Sequence, residues 1–216
     1  ISRGSSLPNS KYKSLTLSLL VDYIQIIELV AAALGVLYLV LEVKASMWLW
    51  RVGVLLPLFY IYISWQSKVY GNIIVNLYYL ITSIWGWWLW AKQGKATEDE
   101  GAIRSFVRQQ RKNRALKLAA LLGGVVALSC ALLPLFAYLT DSPYPLLDSI
   151  ATCCGFVGMW LLAKKFLENW YCWIVSNALY CTLYFLQGFY ITAAFFVVYT
   201  VLAVVGLIRW SKQAVL

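Results

Sequence analysis

NWYCWIVSNALYCTLYFLQG, residues 169–188, decides how the rest of the chain is read. The stretch is apolar enough to enter a lipid bilayer. At helical spacing, however, Trp170, Trp173, Asn177, Tyr180, Tyr184 and Gln187 fall on one face. An amide in hydrocarbon without a partner costs several kcal/mol. That face must therefore look into protein or a wet cavity, and only the opposite face can look at lipid.

The surroundings of the stretch are those of a polytopic helical membrane protein. Of 216 residues, 62% are hydrophobic and 12% are charged, against roughly 25% charged in soluble chains. Apolar runs predict helices over 21–43, 48–66, 69–91, 116–139, 147–164, 169–187 and 190–210, each able to cross a hydrocarbon core of about 30 Å. The expected organisation is an N-terminal tail (1–20), a first three-helix bundle (21–91), a basic cytoplasmic linker (92–115), a connecting transmembrane helix (116–139) and a second three-helix bundle (140–216). The N-terminal ISRGSSLPNSKYKS has no apolar core of the kind a signal peptide needs.

Charge sets the expected orientation. The net charge of +9 is read as topology and not as nucleic-acid binding, because Lys and Arg collect in cytoplasmic loops. Placing the linker KQGKATEDEGAIRSFVRQQRKNRALK inside puts most of the 18 basic residues there. The N-terminus is then outside and the C-terminus in the cytoplasm, with Arg3, Lys11 and Lys13 of the tail counting against it.

Sliding the chain by 120 residues uncovers an internal repeat. Ala31 meets Ala151, Gly35 meets Gly155, Leu41 meets Leu161 and Lys44 meets Lys164. Without a gap, Trp50 then meets Trp170, Tyr60 Tyr180, Tyr70 Tyr190, Tyr79 Tyr199, Gly86 Gly206, Trp90 Trp210 and Lys92 Lys212. Matching Gly, Trp and Tyr carries more weight than matching Leu and Val. Three helices cross the membrane an odd number of times, so a following copy would be inverted. The extra helix 116–139 restores the orientation. The expected fold class is an all-α integral membrane protein of seven helices in a 3+1+3 parallel-repeat, SWEET-like architecture.

Two further stripes accompany the one in 169–188. Asn72, Asn76, Tyr79, Ser83 and Gly86 share a face of the third helix, and Pro57, Tyr60 and Ser64 share one of the second, where Pro57 is the repeat partner of Asn177. Flat rings beside neutral amides and phenols suit a flat, polar organic molecule. Trp48, Trp50, Trp90, Trp210 and Tyr70 lie near span ends and read as interfacial anchors. The cysteines, Cys130, Cys153, Cys154, Cys172 and Cys181, read as small packing residues. With no histidine and no Cys pair at ligand spacing, no metal and no cofactor is expected. Scattered carboxylates without histidine also argue against an enzyme. A purely structural membrane protein would instead tolerate Leu at its mid-span Asn and Tyr positions. Asp22, Glu28 and Asp148 are placed near outer helix ends and none at mid-membrane, which points to facilitated diffusion over ion coupling. No glycine-rich phosphate loop points to ATP.

VYGNIIVNLYYLITSIWGWWLW (69–90), ENWYCW (168–173) with its Trp-x-x-Trp, and the closing GLIRW resemble the PnuC-type vitamin transporters, over roughly residues 20–212. The resemblance implies a bacterial inner-membrane importer of nicotinamide riboside with a SWEET-like fold, assembled as a homotrimer. It further implies facilitated diffusion made unidirectional by a cytoplasmic kinase that phosphorylates the imported nucleoside, and related subfamilies carry thiamine or riboflavin. A site between the two bundles is implied, with Trp170 and Trp173 contributing. Asn76, Tyr79, Asn177, Tyr180 and Tyr184 are expected there from the stripes.

Overall fold

The computed structural model describes residue 30 and residues 33–66, 70–93, 103, 114–139 and 142–213. The N-terminal tail, almost all of the basic linker, and Asp22 and Glu28 lie outside the described residues. Seven helices run through those described: α1 (Ala33–Val43), α2 (Trp48–Gln66), α3 (Tyr70–Gln93), α4 (Arg114–Leu139), α5 (Pro145–Ala163), α6 (Asn169–Leu186) and α7 (Tyr190–Gln213). Each matches a span read from the sequence to within a few residues, and α1 coincides with the described part of the first. Residues 1–35 form one unit, of which only 30 and 33–35 are described, all helical. Residues 36–216 form the other.

Four helical segments are long and apolar enough to cross a membrane, namely Ile73–Lys92, Ala119–Tyr138, Pro145–Ala163 and Tyr190–Gln213. The apolar part of α2, Trp48–Tyr62, is shorter, and α6 is diluted by its amides and phenols. Within the second unit α2 packs on α3, α6 on α5 and α7, and α3 and α4 on α5. Many of the outward residues are aliphatic, among them Leu55, Ile81, Val126 and Val201, with aromatics such as Phe59, Tyr62 and Trp88 between them, and the aliphatics are as expected of a surface that meets lipid. On α4, Cys130 is exposed and so is not the buried packing residue expected, whereas Cys153, Cys154 and Cys172 are buried.

The 120-residue shift reappears in backbone geometry. After α1, Ala45 takes a left-handed conformation (φ 49°), and after α5 its repeat partner Lys165 does the same (φ 56°). In both turns the same two hydrogen bonds close the helix. Ala45 N–H donates to Glu42 O at 2.8 Å and Ser46 N–H to Leu41 O at 2.9 Å, while Lys165 N–H donates to Leu162 O at 2.8 Å and Phe166 N–H to Leu161 O at 2.9 Å. This is the Schellman pattern, which satisfies the carbonyls a helix end leaves open. It is built twice without the glycine that usually occupies the left-handed position.

Packing repeats as well. Trp50 meets Trp90 edge to face with centroids 5.3 Å apart, and Trp170 meets Trp210 at 5.4 Å. A Cβ added at Gly86 would overlap the Trp50 ring, and one at Gly206 would overlap Trp170. Each bracket is thus two indoles closed over a glycine. Trp90 Nε1–H donates to Ala163 O at 3.1 Å and Trp210 Nε1–H to Val43 O at 3.3 Å. Val43 and Ala163 are themselves 120 residues apart, so each half donates an indole to the other half's first helix end. These positions correct the interfacial expectation. Trp50, Trp90 and Trp210 are buried in the core. Trp90 and Trp210 can be buried whole because each indole N–H has a carbonyl partner, whereas Trp50 is held by its packing over Gly86 and against Trp90, with no partner for its Nε1. Trp48 is 59% exposed with the Arg51 guanidinium 3.9 Å from its ring, as an anchor should be. The Tyr70 side chain lies outside the described residues.

Candidate functional site

The polar face of α6 is turned towards α5 and towards residues of the first half. Small residues on α5 make room for it. At Gly155, an added Cβ would collide with the Tyr79 hydroxyl from α3 and would sit 3.8 Å from the Trp173 ring. At Gly158, one turn on, it would meet the Trp173 ring at 3.5 Å. Tyr79 and Trp173, carried by different halves, therefore converge over one strip of α5. Tyr38 of α1 reaches the same strip, its hydroxyl donating to Met159 Sδ at 3.3 Å.

Further along α6 the contacts continue in register. Ser176 Oγ–H donates to Ala151 O at 2.8 Å, and the Tyr180 and Thr152 hydroxyls share a hydrogen bond of 2.9 Å. Tyr184 stacks on Phe196 of α7 at 5.3 Å and 19°, with Tyr180 beside both. Between Trp173 and Tyr180 lies Asn177, only 7% exposed, with no partner for its Nδ2. A buried amide donor left open costs about 1–3 kcal/mol. Native structures keep such a group where something else can meet it. On α3, Asn76 is partly buried one turn before Tyr79.

Trp173, Asn177, Tyr180 and Tyr184 thus lie along one wall, with Tyr79 opposite Trp173. Trp170 is not brought to this wall. It is fully buried in the bracket with Trp210 and Gly206. Its resemblance to Trp173 in sequence arises because both are in ENWYCW, but three residues of helix turn them to different neighbours. An open groove of about 450 Å³ on the α3–α4–α5 face is lined by Tyr78, Leu121, Leu128, Phe156 and other non-polar contacts. It offers no donors for a polar solute and suits a lipid chain.

One residue of the site was missed in the sequence. Glu42, in the last turn of α1, is fully buried, and its Oε1 accepts hydrogen bonds from Trp173 Nε1 at 2.7 Å and Asn169 Nδ2 at 2.9 Å. Glu42 thus adds a buried carboxylate, in the last turn of α1, to the three read from the sequence, Asp22, Glu28 and Asp148. Glu42 sits two residues from Lys44 at a span end, where a charged residue reads as a solvated flank. The available signal was that Glu42 has Leu162 as its repeat partner and Asn169 has Leu49. Polar residues replace leucine at two matched positions, and the structure pairs those two. A second exchange tells the same story. Tyr38 covers Gly53 in one half, while in the other Trp173 covers Gly158. Tyr38 and Gly158 are repeat partners, as are Gly53 and Trp173. Ring and glycine have traded helices, so the two halves present different surfaces to their common interior.

With this geometry in hand, relatives are informative. A family model described as nicotinamide mononucleotide transporter matches residues 25–212. The chain belongs to that family. Among relatives in the nicotinamide mononucleotide transporter family, it is similar to the nicotinamide riboside transporter PnuC of Escherichia coli (strain K12). The two are 24% identical over 173 residues, covering 70% of this chain and 71% of the relative. Similarity to PnuC of Neisseria mucosa is 25% over 193 residues, covering 85% and 71%. The riboflavin/roseoflavin transporter RibM of Streptomyces davaonensis is 23% identical over 184 residues, covering 85% and 83%. The crystal structure of the vitamin B3 transporter PnuC superposes with a TM-score of 0.64 over 95% of this chain and 93% of that one, at 22% identity. The fold is therefore shared with a solved transporter of the family, and the chain is a multi-pass membrane protein of the vitamin-transporter type.

Proposed function

We propose that this chain imports nicotinamide riboside by facilitated diffusion, through alternating access of two three-helix repeats about a site between them. The carrying observation is the wall of α6, where aromatic rings flank Asn177, whose buried amide donor has no protein partner. Trp173 and Tyr79 would hold the flat pyridinium, since ring faces attract a cation. Asn177, Asn76, Tyr180 and Tyr184 would meet the ribose hydroxyls and carboxamide. Trp170, expected at the site, would act from behind it by fixing α6 on α7. The repeated turns and tryptophan brackets favour a 3+1+3 parallel arrangement; the placing of Lys and Arg supports an N-terminus outside and a C-terminus in the cytoplasm, and the family resemblance a bacterial inner membrane. A homotrimer and trapping by a cytoplasmic kinase complete the reading and come from the family resemblance.

Riboflavin is a second reading, favoured by the likeness to a relative named for riboflavin and roseoflavin. Equilibrium binding to the purified protein separates the two, with nicotinamide riboside, nicotinamide mononucleotide, thiamine and riboflavin measured side by side. Saturable binding of nicotinamide riboside is expected. Binding of riboflavin or thiamine without it would move the chain to that substrate. Uptake into liposomes with no ion or pH gradient tests the passive mechanism, and a requirement for a gradient would refute it.

A further inference from the structure

Glu42 presents an arrangement that an ionised carboxylate does not explain. Both of its donors, Trp173 Nε1–H and Asn169 Nδ2–H, go to the same oxygen, Oε1. The other oxygen, Oε2, is buried with no donor, and so is Oδ1 of the Asn169 amide that serves Oε1. Two acceptors are thus orphaned on two groups already joined by one hydrogen bond. Turning the amide over brings Oδ1 to Oε1, which again leaves two acceptors face to face. Either orientation lacks one hydrogen.

Among the described residues no neighbouring cation supplies it. From α1 the facing group is Tyr38, from α6 Asn169 and Trp173, from α5 Met159, whose sulfur receives the Tyr38 hydroxyl, and from α3 Tyr79, which interacts with Tyr38. From α7 the Trp210 indole reaches this end of α1, at Val43 O. The nearby lysines are turned elsewhere. Lys164 Nζ lies over the Trp160 ring at 4.1 Å, Lys165 Nζ over Trp90 at 4.7 Å, and Lys44 is exposed. A lone buried carboxylate among neutral groups is strongly disfavoured. A calcium ion takes about six to eight oxygens, and among the described residues two buried side-chain oxygens are open here.

We infer that Glu42 binds a proton on Oε2 and donates it to Asn169 Oδ1, closing an acid–amide ring that latches α1 of the first half to α6 of the second. Oε1 then behaves as the carbonyl oxygen of an acid and accepts both N–H groups. Losing the proton would leave a charge and an unpaired amide oxygen inside the protein, so the ring opens when the proton leaves. The latch also holds the Trp173 indole by its N–H, which ties the orientation of the proposed substrate wall to the proton. The inference stands on the contacts of Glu42 and not on the identity of the substrate.

Purified full-length protein in detergent gives the test, without substrate. Infrared difference spectra between wild type and Glu42→Gln should show a protonated-carboxyl C=O stretch at neutral pH that the variant lacks. Gln carries its own N–H to Asn169 Oδ1, so Glu42→Gln should match wild type at about pH 4, near the pKa of a free carboxyl, be the more stable of the two at neutral pH, and stay flat with rising pH. Wild type, holding one proton more when folded than unfolded, should lose stability as pH rises, by about tenfold in its folding equilibrium per pH unit. Absence of the carboxyl band would overturn the inference, as would a Glu42→Gln variant that fails to fold or keeps the wild-type pH slope. Stabilisation by sodium at constant ionic strength, at a pH where the proton is lost, would also overturn it in favour of a metal site.

Discussion

Alanine at Gly206 is the most direct perturbation of the repeated tryptophan bracket. The nearest atoms to the new methyl group would be the three distal carbons of the Trp170 indole. Trp170 is fully buried and fixed edge to face on Trp210, so its ring has nowhere to retreat. Overpacking of this kind costs about 1–3 kcal/mol. Exchanging Gly for Ala in a helix interior also gains roughly 0.5–1 kcal/mol in propensity, which must be removed before the steric cost is read. Gly124→Ala on α4 supplies that control, because nothing lies within 4 Å of its added Cβ. The difference between the two variants should therefore be about 1–3 kcal/mol, with Gly206→Ala the less stable. Phenylalanine lacks the distal edge of the indole, so Trp170→Phe should tolerate Gly206→Ala far better than wild type does. The double-mutant coupling should be favourable by about 1 kcal/mol or more. Equilibrium unfolding in detergent, followed by intrinsic fluorescence, measures the four proteins of the double-mutant cycle and the Gly124→Ala control. A Gly206→Ala variant as stable as Gly124→Ala would refute the reasoning, and Gly86→Ala should repeat the result in the first half against Trp50.

Replacing Asn177 by Leu should leave insertion and folding intact while weakening nicotinamide riboside binding by about 1–3 kcal/mol, roughly fivefold to 150-fold; unchanged uptake by a correctly inserted variant would remove Asn177 from the site. Trp90→Phe and Trp210→Phe each delete one indole donor to the other half's helix end, at Ala163 O and Val43 O. Each should cost about 1 kcal/mol or more in unfolding free energy through the stranded buried carbonyl, and similar losses from the two variants would check that the two contacts are equivalent.

Most of the helices were legible from hydropathy alone. Six of the seven fall where apolar runs and their polar interruptions put them, because a membrane segment must satisfy its backbone internally and only a helix of that length does so. The stripe on α6 was equally legible, since helical spacing is a local property. Misreadings arose where one-dimensional position stood in for environment. Trp50, Trp90 and Trp210 lie near span ends and so looked like anchors, but their burial depends on Gly86, Gly206 and two carbonyls far away in the chain. Glu42 drew no reading from the sequence, because its partners, Asn169 and Trp173, are well over a hundred residues away.

By itself the sequence determined that this protein lives in a bilayer, that its halves descend from one pattern, and which face of α6 cannot meet lipid. Those are matters of composition, period and spacing. Tertiary structure alone decided that Trp170 and Trp173 have different neighbours, and that a carboxyl group sits buried against α6. It also decided that Tyr79 of one half and Trp173 of the other meet over Gly155. Each of these requires two distant helices to approach within a side-chain length, and no property of either helix alone fixes that approach.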